Sequence, residues 1–148
     1  MQRSNPEMQR RAQQVLDKFN ERSSKNPITF IHDVGAGGIS NAIPELAKDT
    51  NLGVEINLEN IDSADQTMSP MELWCNESQE RYVFTIPMKK LRALEDICRK
   101  ERCPFSIAGY LTEDKIIKIK FHEDEIVNLH LDDLFGEIPL PDLIAQNY

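Results

Sequence analysis

The strongest constraint on the fold is residues 30–40 (FIHDVGAGGIS), where an apolar run ends in an acid and three glycines follow within four positions. The apolar run favours a strand, and the residues after the glycines favour a helix. Glycine reaches backbone conformations that are closed to other residues, so the cluster indicates a tight turn. The sequence therefore predicts a strand ending at Asp33, a turn at Gly35, Gly37 and Gly38, and a helix behind it.

Such a turn can also bind ions. Backbone N–H groups in a glycine turn and at a helix N-terminus attract anions such as phosphate, and a carboxylate can ligate a hard divalent cation. The spacing matches neither of the standard phosphate-loop fingerprints. We expect Gly35, Gly37 and Gly38 to contact phosphate and Asp33 to contribute to a metal site. The alternative is a tight turn capped by Asp33.

Length and charge narrow the class of protein. The chain has 148 residues, which suits one domain, and a formal net charge of −8. This charge argues against binding to nucleic acid or an anionic membrane, since both need a basic face. The three cysteines lack metal-ligand spacing and are interpreted as free thiols in a reducing compartment. No apolar run approaches a membrane span, and the polar start is unlike a secretory signal. We expect a cytoplasmic protein.

Hydrophobic periodicity predicts helices and strands that largely alternate along the chain. The predicted order is a helix from Pro6, a strand at 28–33, a helix at 40–48, a strand at 54–58, a short helix at 70–76, a strand at 82–86, a helix at 89–102, strands at 105–111, 116–121 and 125–131, a helical turn at 132–136 and an extended tail at 138–141. This order predicts an α/β (α+β) fold in which helices pack on a mixed sheet, partly in β-α-β units.

A second polar segment follows the short helix. Residues 69–72 (SPME) form a capping box, and Glu77, Ser78 and Gln79 then lie between this helix and the next strand. Rigid flanks of this kind can present side chains to a ligand, although a solvated turn is the alternative. His32 should point away from Asp33 and serve packing or hydrogen bonding, because neighbours in a strand face opposite sides.

Three apolar residues near that helix are interpreted as core residues rather than as part of a cofactor site. They are Met68, Met71 and Trp74.

Two motifs resemble the phosphoribosylformylglycinamidine synthase family, the large single-chain glutamine-dependent ligases of purine biosynthesis. They are residues 30–46 (FIHDVGAGGISNAIPEL) and residues 68–82 (MSPMELWCNESQERY). The likeness extends over nearly the whole chain, which resembles the first of two domains related to the C-terminal domain of aminoimidazole ribonucleotide (AIR) synthase. The resemblance implies a three-layer mixed-sheet sandwich with ferredoxin-like features.

The resemblance also implies an activity. The family converts formylglycinamide ribonucleotide, glutamine and ATP to formylglycinamidine ribonucleotide, glutamate, ADP and phosphate. By position, Asp33 would contribute to Mg²⁺ binding, and Glu77, Ser78 and Gln79 would hold the substrate nucleotide. The catalytic histidine, most ATP contacts and the glutaminase residues belong to other domains of the enzyme. We therefore expect the isolated chain to be inactive.

The resemblance suggests boundaries for the chain: a lead-in at residues 1–25, the AIR synthase-related domain at 26–140 and a tail at 141–148. An excised domain can expose apolar surface, so homodimers are expected. Two alternatives stay open. The chain could belong to another enzyme of the superfamily, namely AIR synthetase, thiamine-phosphate kinase or selenophosphate synthetase, or it could be a non-catalytic domain with a degenerate site.

Overall fold

The computed structural model describes residues 5–21, 26–78 and 80–136. The helices are α1 (Pro6–Asn20), α2 (Ile39–Thr50), α3 (Pro70–Cys75), α4 (Leu91–Glu101) and α5 (Leu131–Phe135), with 3-10 turns at Leu58–Asn60 and Met88–Lys90. The strands are β1 (Phe30–Asp33), β2 (Gly53–Asn57), β3 (Tyr82–Thr85), β4 (Gly109–Thr112), β5 (Ile116–Phe121) and β6 (Asp124–His130).

These strands form two sheets. β1 and β3 pair in antiparallel orientation as a two-stranded sheet, and the other strands form a four-stranded sheet in the order β4-β2-β5-β6. In the larger sheet β2 runs parallel to β5, whereas the β2–β4 and β5–β6 pairs are antiparallel. The expected α/β class and mixed strand orientation are therefore confirmed.

Two hydrophobic clusters stabilise the fold. In the larger cluster, α2 packs on the four-stranded sheet, with Leu58 and Ile119 fully buried at its centre. In the smaller cluster, Val15 and Phe19 of α1 pack against α4, and Phe84 of β3 lies against them. Because Val83 packs on the larger cluster and Phe84 on the smaller one, the β1–β3 sheet lies between the two clusters.

The predicted elements are present, with differences at their ends. The strand expected to begin at residue 105 begins at Gly109, where a Cβ would lie 1.9 Å from the carbonyl oxygen of Glu55. Only glycine permits this close pairing with β2, and Pro104 upstream has no N–H to donate to a sheet. The helix expected at 40–48 extends over Ile39–Thr50 and contains Pro44. The predicted tail at 138–141 lies outside the described residues.

One interpretation of core residues was wrong. Met71 is 73% exposed, because it lies on the outer side of the short helix α3. Trp74, one turn further along that helix, packs against the larger cluster as expected. The three cysteines are free thiols, and Cys98 is buried on the apolar side of α4. None of the helices within the described residues is long and apolar enough to cross a membrane.

Candidate functional site

The glycine segment forms a tight turn between β1 and α2. The Gly38 N–H donates to the Gly35 carbonyl oxygen at 3.1 Å, and the Ser40 hydroxyl donates to the Gly37 carbonyl oxygen at 2.6 Å. Gly37 and Gly38 have φ values of +80° and +68°, a region that favours glycine. Asp33 therefore ends the strand immediately before a turn that leads into a helix N-terminus, as the sequence predicted.

The turn packs directly on the end of α3. A Cβ at Gly38 would lie 2.3 Å from the carbonyl oxygen of Asn76 and 3.1 Å from the carbonyl carbon of Cys75. The backbone of residues 75–76 can approach this closely only because Gly38 has no side chain. The two sequence motifs, about forty residues apart, are thus in direct contact.

Glu77 makes a second contact between the motifs. The Gly37 N–H donates to its carboxylate at 3.1 Å. This hydrogen bond is the main reason why the pKa of Glu77 lies below its usual value of 4.5. The bond lowers the pKa because it stabilises the ionised carboxylate. One N–H group that was expected to face phosphate therefore already binds a carboxylate oxygen in this structure.

The polar segment after α3 is held by its own side chains. The carboxamide oxygen of Asn76 accepts from the Ser78 N–H at 2.8 Å and from the Ser78 hydroxyl at 2.6 Å. Arg81 donates from Nε to the Ser78 carbonyl oxygen at 2.7 Å and from Nη2 to the Asn76 carbonyl oxygen at 3.0 Å. We call residues 76–78 the corner, and these four contacts define its shape.

Burial of Arg81 has an electrostatic consequence. Desolvation lowers the pKa of its guanidinium, since burial disfavours the charged form. The acceptors of its two hydrogen bonds are carbonyl oxygens. The same guanidinium borders a pocket of about 200 Å³, which is also lined by Asn76, Ser78 and the loop at 61–65.

The metal site has weaker support. The Asp33 side chain is exposed at the end of β1, and its carboxylate is a suitable ligand for a hard cation. Within residues 5–21, 26–78 and 80–136, however, no three His, Cys, Asp or Glu side chains are grouped so as to hold a metal ion. Asp33 therefore fits as a single ligand, and other ligands would have to come from substrate phosphates, water or other parts of a larger protein.

The remaining candidates are placed as follows. Gln79 lies outside the described residues. His32 lies on the face of β1 opposite to Asp33, as expected, with Nε2 3.3 Å from the Asp49 carboxylate and Nδ1 3.7 Å from that of Glu45. It serves hydrogen bonding to α2 and takes no part in the corner.

Sequence reasoning gave no role to Asn76 and Arg81, although both shape the corner. A usable signal was present: an Asn side chain commonly accepts from the backbone N–H two residues later in a turn, and an arginine carries several donors in a planar fork. Their partners are close in sequence, but only the turn between α3 and β3 shows which carbonyl oxygens Arg81 reaches.

Comparisons with known proteins identify the family. Residues 1–122 match the family model described as "AIR synthase related protein, C-terminal domain". The chain is 45% identical over 141 residues to the phosphoribosylformylglycinamidine synthase of Saccharomyces cerevisiae, covering 94% of this chain and 10% of that protein. The resemblance inferred from the two motifs is thereby confirmed.

Solved structures agree with this match. T. maritima PurL complexed with FGAR superposes with a TM-score of 0.81 at 25% identity, over 100% of this chain and 24% of that one. T. maritima PurL complexed with ATP gives a TM-score of 0.73 at 26% identity, over 91% of this chain and 23% of that one. The chain thus spans about a tenth to a quarter of the length of these relatives. It belongs to the AIR synthase-related family, as a C-terminal domain of that family.

Proposed function

We propose that this chain is a domain of a phosphoribosylformylglycinamidine synthase and that it contributes contacts to the substrate nucleotide. The full enzyme would convert formylglycinamide ribonucleotide, glutamine and ATP to formylglycinamidine ribonucleotide, glutamate, ADP and phosphate. The observation that carries the proposal is the hydrogen bond from the Gly37 N–H to the Glu77 carboxylate. It joins the glycine turn and the corner into one polar surface.

The relatives support the choice of ligand. The yeast relative carries the synthase name, and PurL structures are described as complexes with FGAR and with ATP. Because the chain covers a small share of each relative, the ATP-binding domain and the glutaminase domain would lie elsewhere in the full enzyme. Residues 26–140 would be the domain proper, and these other domains would be its partners. A homodimer through exposed apolar surface also stays a prediction.

Each part of the site would have a separate role. Ser78 and Gln79 would orient the ribonucleotide, and Glu77 would hold the corner against the turn or accept from a ligand hydroxyl. N–H groups at the turn and at the start of α2 would face phosphate oxygens. Asp33 would be one ligand of a Mg²⁺ ion, whose chemistry is to neutralise phosphate charge. None of these residues forms a covalent bond with substrate in this proposal.

Substitution of Ser78 in the full-length enzyme tests the proposal. Ser78→Ala and Gln79→Ala should each raise the KM for formylglycinamide ribonucleotide by roughly tenfold, as expected for the loss of one hydrogen bond to a charged ligand. Steady-state kinetics at saturating ATP and glutamine measure this. Ser106→Ala, at an exposed residue before β4, is the control and should change KM by less than about twofold.

Two outcomes would contradict the proposal. If both variants keep the control's KM, neither the corner nor Gln79 binds substrate, and the domain has a structural role. If the isolated 148-residue chain forms product from ATP and glutamine, the assignment of the remaining chemistry to other domains is wrong.

A further inference from the structure

We propose that Arg81 is a positioning residue that holds the corner against the glycine turn and thereby sets the geometry of the substrate contacts. Only the expected change in KM rests on the proposed function. Its structural part depends on three contacts of Arg81 itself, two made by its side chain and one by its backbone.

The side chain fixes both ends of the corner. Nε and Nη2 donate to the carbonyl oxygens of Ser78 and Asn76, at 2.7 and 3.0 Å. Arginine can make both bonds at once because its guanidinium is a rigid planar fork, whereas lysine carries a single ammonium group. Glu77 lies between the two bonded carbonyl groups, so its backbone is held from both sides.

One of these carbonyl oxygens also contacts the turn. The Asn76 oxygen that accepts from Arg81 is the atom that a Cβ at Gly38 would meet at 2.3 Å. If the guanidinium is removed, this oxygen loses its partner in a part-buried position and gains freedom to turn toward solvent. Such a movement would carry Asn76 and Glu77 away from the turn.

The backbone of Arg81 completes the link. The Val34 N–H, directly after Asp33, donates to the Arg81 carbonyl oxygen at 3.0 Å. A single residue therefore connects the end of β1, the corner and, through Asn76, the glycine turn. No other residue of the site, within the part of the chain that the structure describes, bonds both the strand end and the corner.

No ion pair within the described part of the chain explains the burial of the guanidinium. Within residues 5–21, 26–78 and 80–136, no Asp or Glu oxygen lies within ion-pair distance of it. A charged group that is partly desolvated without a counter-charge costs stability. We therefore attribute the position of the Arg81 side chain to its hydrogen bonds with these two carbonyl oxygens.

The test uses the full-length enzyme with Arg81→Met and Arg81→Lys. Hydrogen exchange measured by mass spectrometry on a peptide covering residues 34–41 reports the Gly37 N–H that donates to Glu77. We expect exchange there to accelerate about tenfold in both variants, as for loss of one net hydrogen bond. The KM for formylglycinamide ribonucleotide should rise by roughly ten- to a hundredfold through misplacement of the corner, with the KM for ATP changed by less than about twofold.

Arg92→Lys is the matched control, because Arg92 is an exposed residue of α4. This substitution should leave the exchange at residues 34–41 and both KM values unchanged. Full recovery of exchange and KM by Arg81→Lys would overturn the inference, since charge alone would then suffice. Unchanged exchange at residues 34–41 in Arg81→Met would also overturn it, whatever the kinetics. Faster exchange throughout the domain, with both KM values raised, would show a general structural role and overturn it as well.

A further outcome separates the two proposals. Faster exchange confined to residues 34–41 and the corner, with an unchanged KM for the ribonucleotide, would confirm that Arg81 holds the corner. It would contradict the proposed function of that corner.

Discussion

Gly38 is the residue on which the contact between the two motifs depends. It lies at the N-cap of α2 with φ 68° and ψ −149°, a conformation that is essentially limited to glycine. The space for a Cβ is already filled by the Asn76 carbonyl group. A side chain at Gly38 would therefore meet both backbone strain and a steric clash, whereas a side chain at Gly35 would meet neither.

Gly38→Ala should lower the free energy of unfolding by about 3 kcal/mol, from the strained backbone and the displacement of Asn76. Urea denaturation of the chain measures this. Gly35→Ala is the control, since the nearest atom to a Cβ there is the Asp33 carboxylate at 4.0 Å. Equal effects of the two substitutions would show that the close approach to α3 is unimportant.

Glu77 should make the turn sensitive to acid. Its folded-state pKa lies below 4.5 because the Gly37 N–H donates to its carboxylate. The stabilisation is therefore fully present above pH 4.5 and is lost as the pH falls through the lowered pKa. The chemical shift of the Gly37 N–H, followed by NMR, should titrate with a midpoint below 4.5, and Glu77→Gln should abolish that titration. A midpoint at or above 4.5 would contradict the contact.

At the scale of elements, the short helix α3 places the corner. It has only six residues, which is too short for an isolated helix to be stable in water. Its capping box supplies the missing stabilisation: the Ser69 hydroxyl oxygen accepts from the Glu72 N–H at 3.3 Å, and the Ser69 N–H donates to the Glu72 carboxylate at 2.8 Å. The position of Asn76, at the other end of α3, follows from this cap and from the packing of Trp74.

Ser69→Ala should destabilise the chain by about 1 kcal/mol, the usual effect of losing an N-cap side chain. Ser106→Ala, in an exposed segment outside the helices and strands, should change stability by less than about 0.5 kcal/mol. Thermal and urea denaturation of both variants make the comparison. If the two substitutions have the same effect, the capping box does not stabilise α3.

At the scale of the whole molecule, the smaller hydrophobic cluster joins α1 to α4. Phe19 of α1 is 1% exposed and packs with Leu94, Ile97 and Cys98 of α4. Burial also raises the pKa of the Cys98 thiol to about 12, so this thiol stays protonated and apolar. The proposed boundary at residue 26 would leave this side of α4 uncovered.

Phe19→Ala should lower the free energy of unfolding by about 3–5 kcal/mol, the range for a fully buried phenylalanine. Phe105→Ala is the matched control, since Phe105 is 36% exposed, and it should have a much smaller effect. Urea denaturation measures both changes in unfolding free energy, with the same dependence on urea concentration used for the two variants. A small effect at Phe19 would support residues 1–25 as a lead-in separate from the domain.

The sequence by itself determined the local structure and the family. Hydrophobic periodicity, the capping box and the glycine cluster predict elements because each depends on residues close in the chain. The same local patterns identified the turn at Gly35–Gly38 and the polar residues Glu77 and Ser78. The resemblance of the two motifs then supplied the likeness to the synthase, which the comparisons confirmed.

Only the tertiary structure decided how these parts meet. The separation of β1 and β2 into different sheets depends on pairing between strands that are distant in sequence, which periodicity does not encode. The exposure of Met71 and the contact of Gly38 with Asn76 depend on the angle at which α3 packs. The bonds of Arg81 to two carbonyl oxygens depend on a chain reversal whose shape no residue pattern specifies, because backbone acceptors are the same for every residue type.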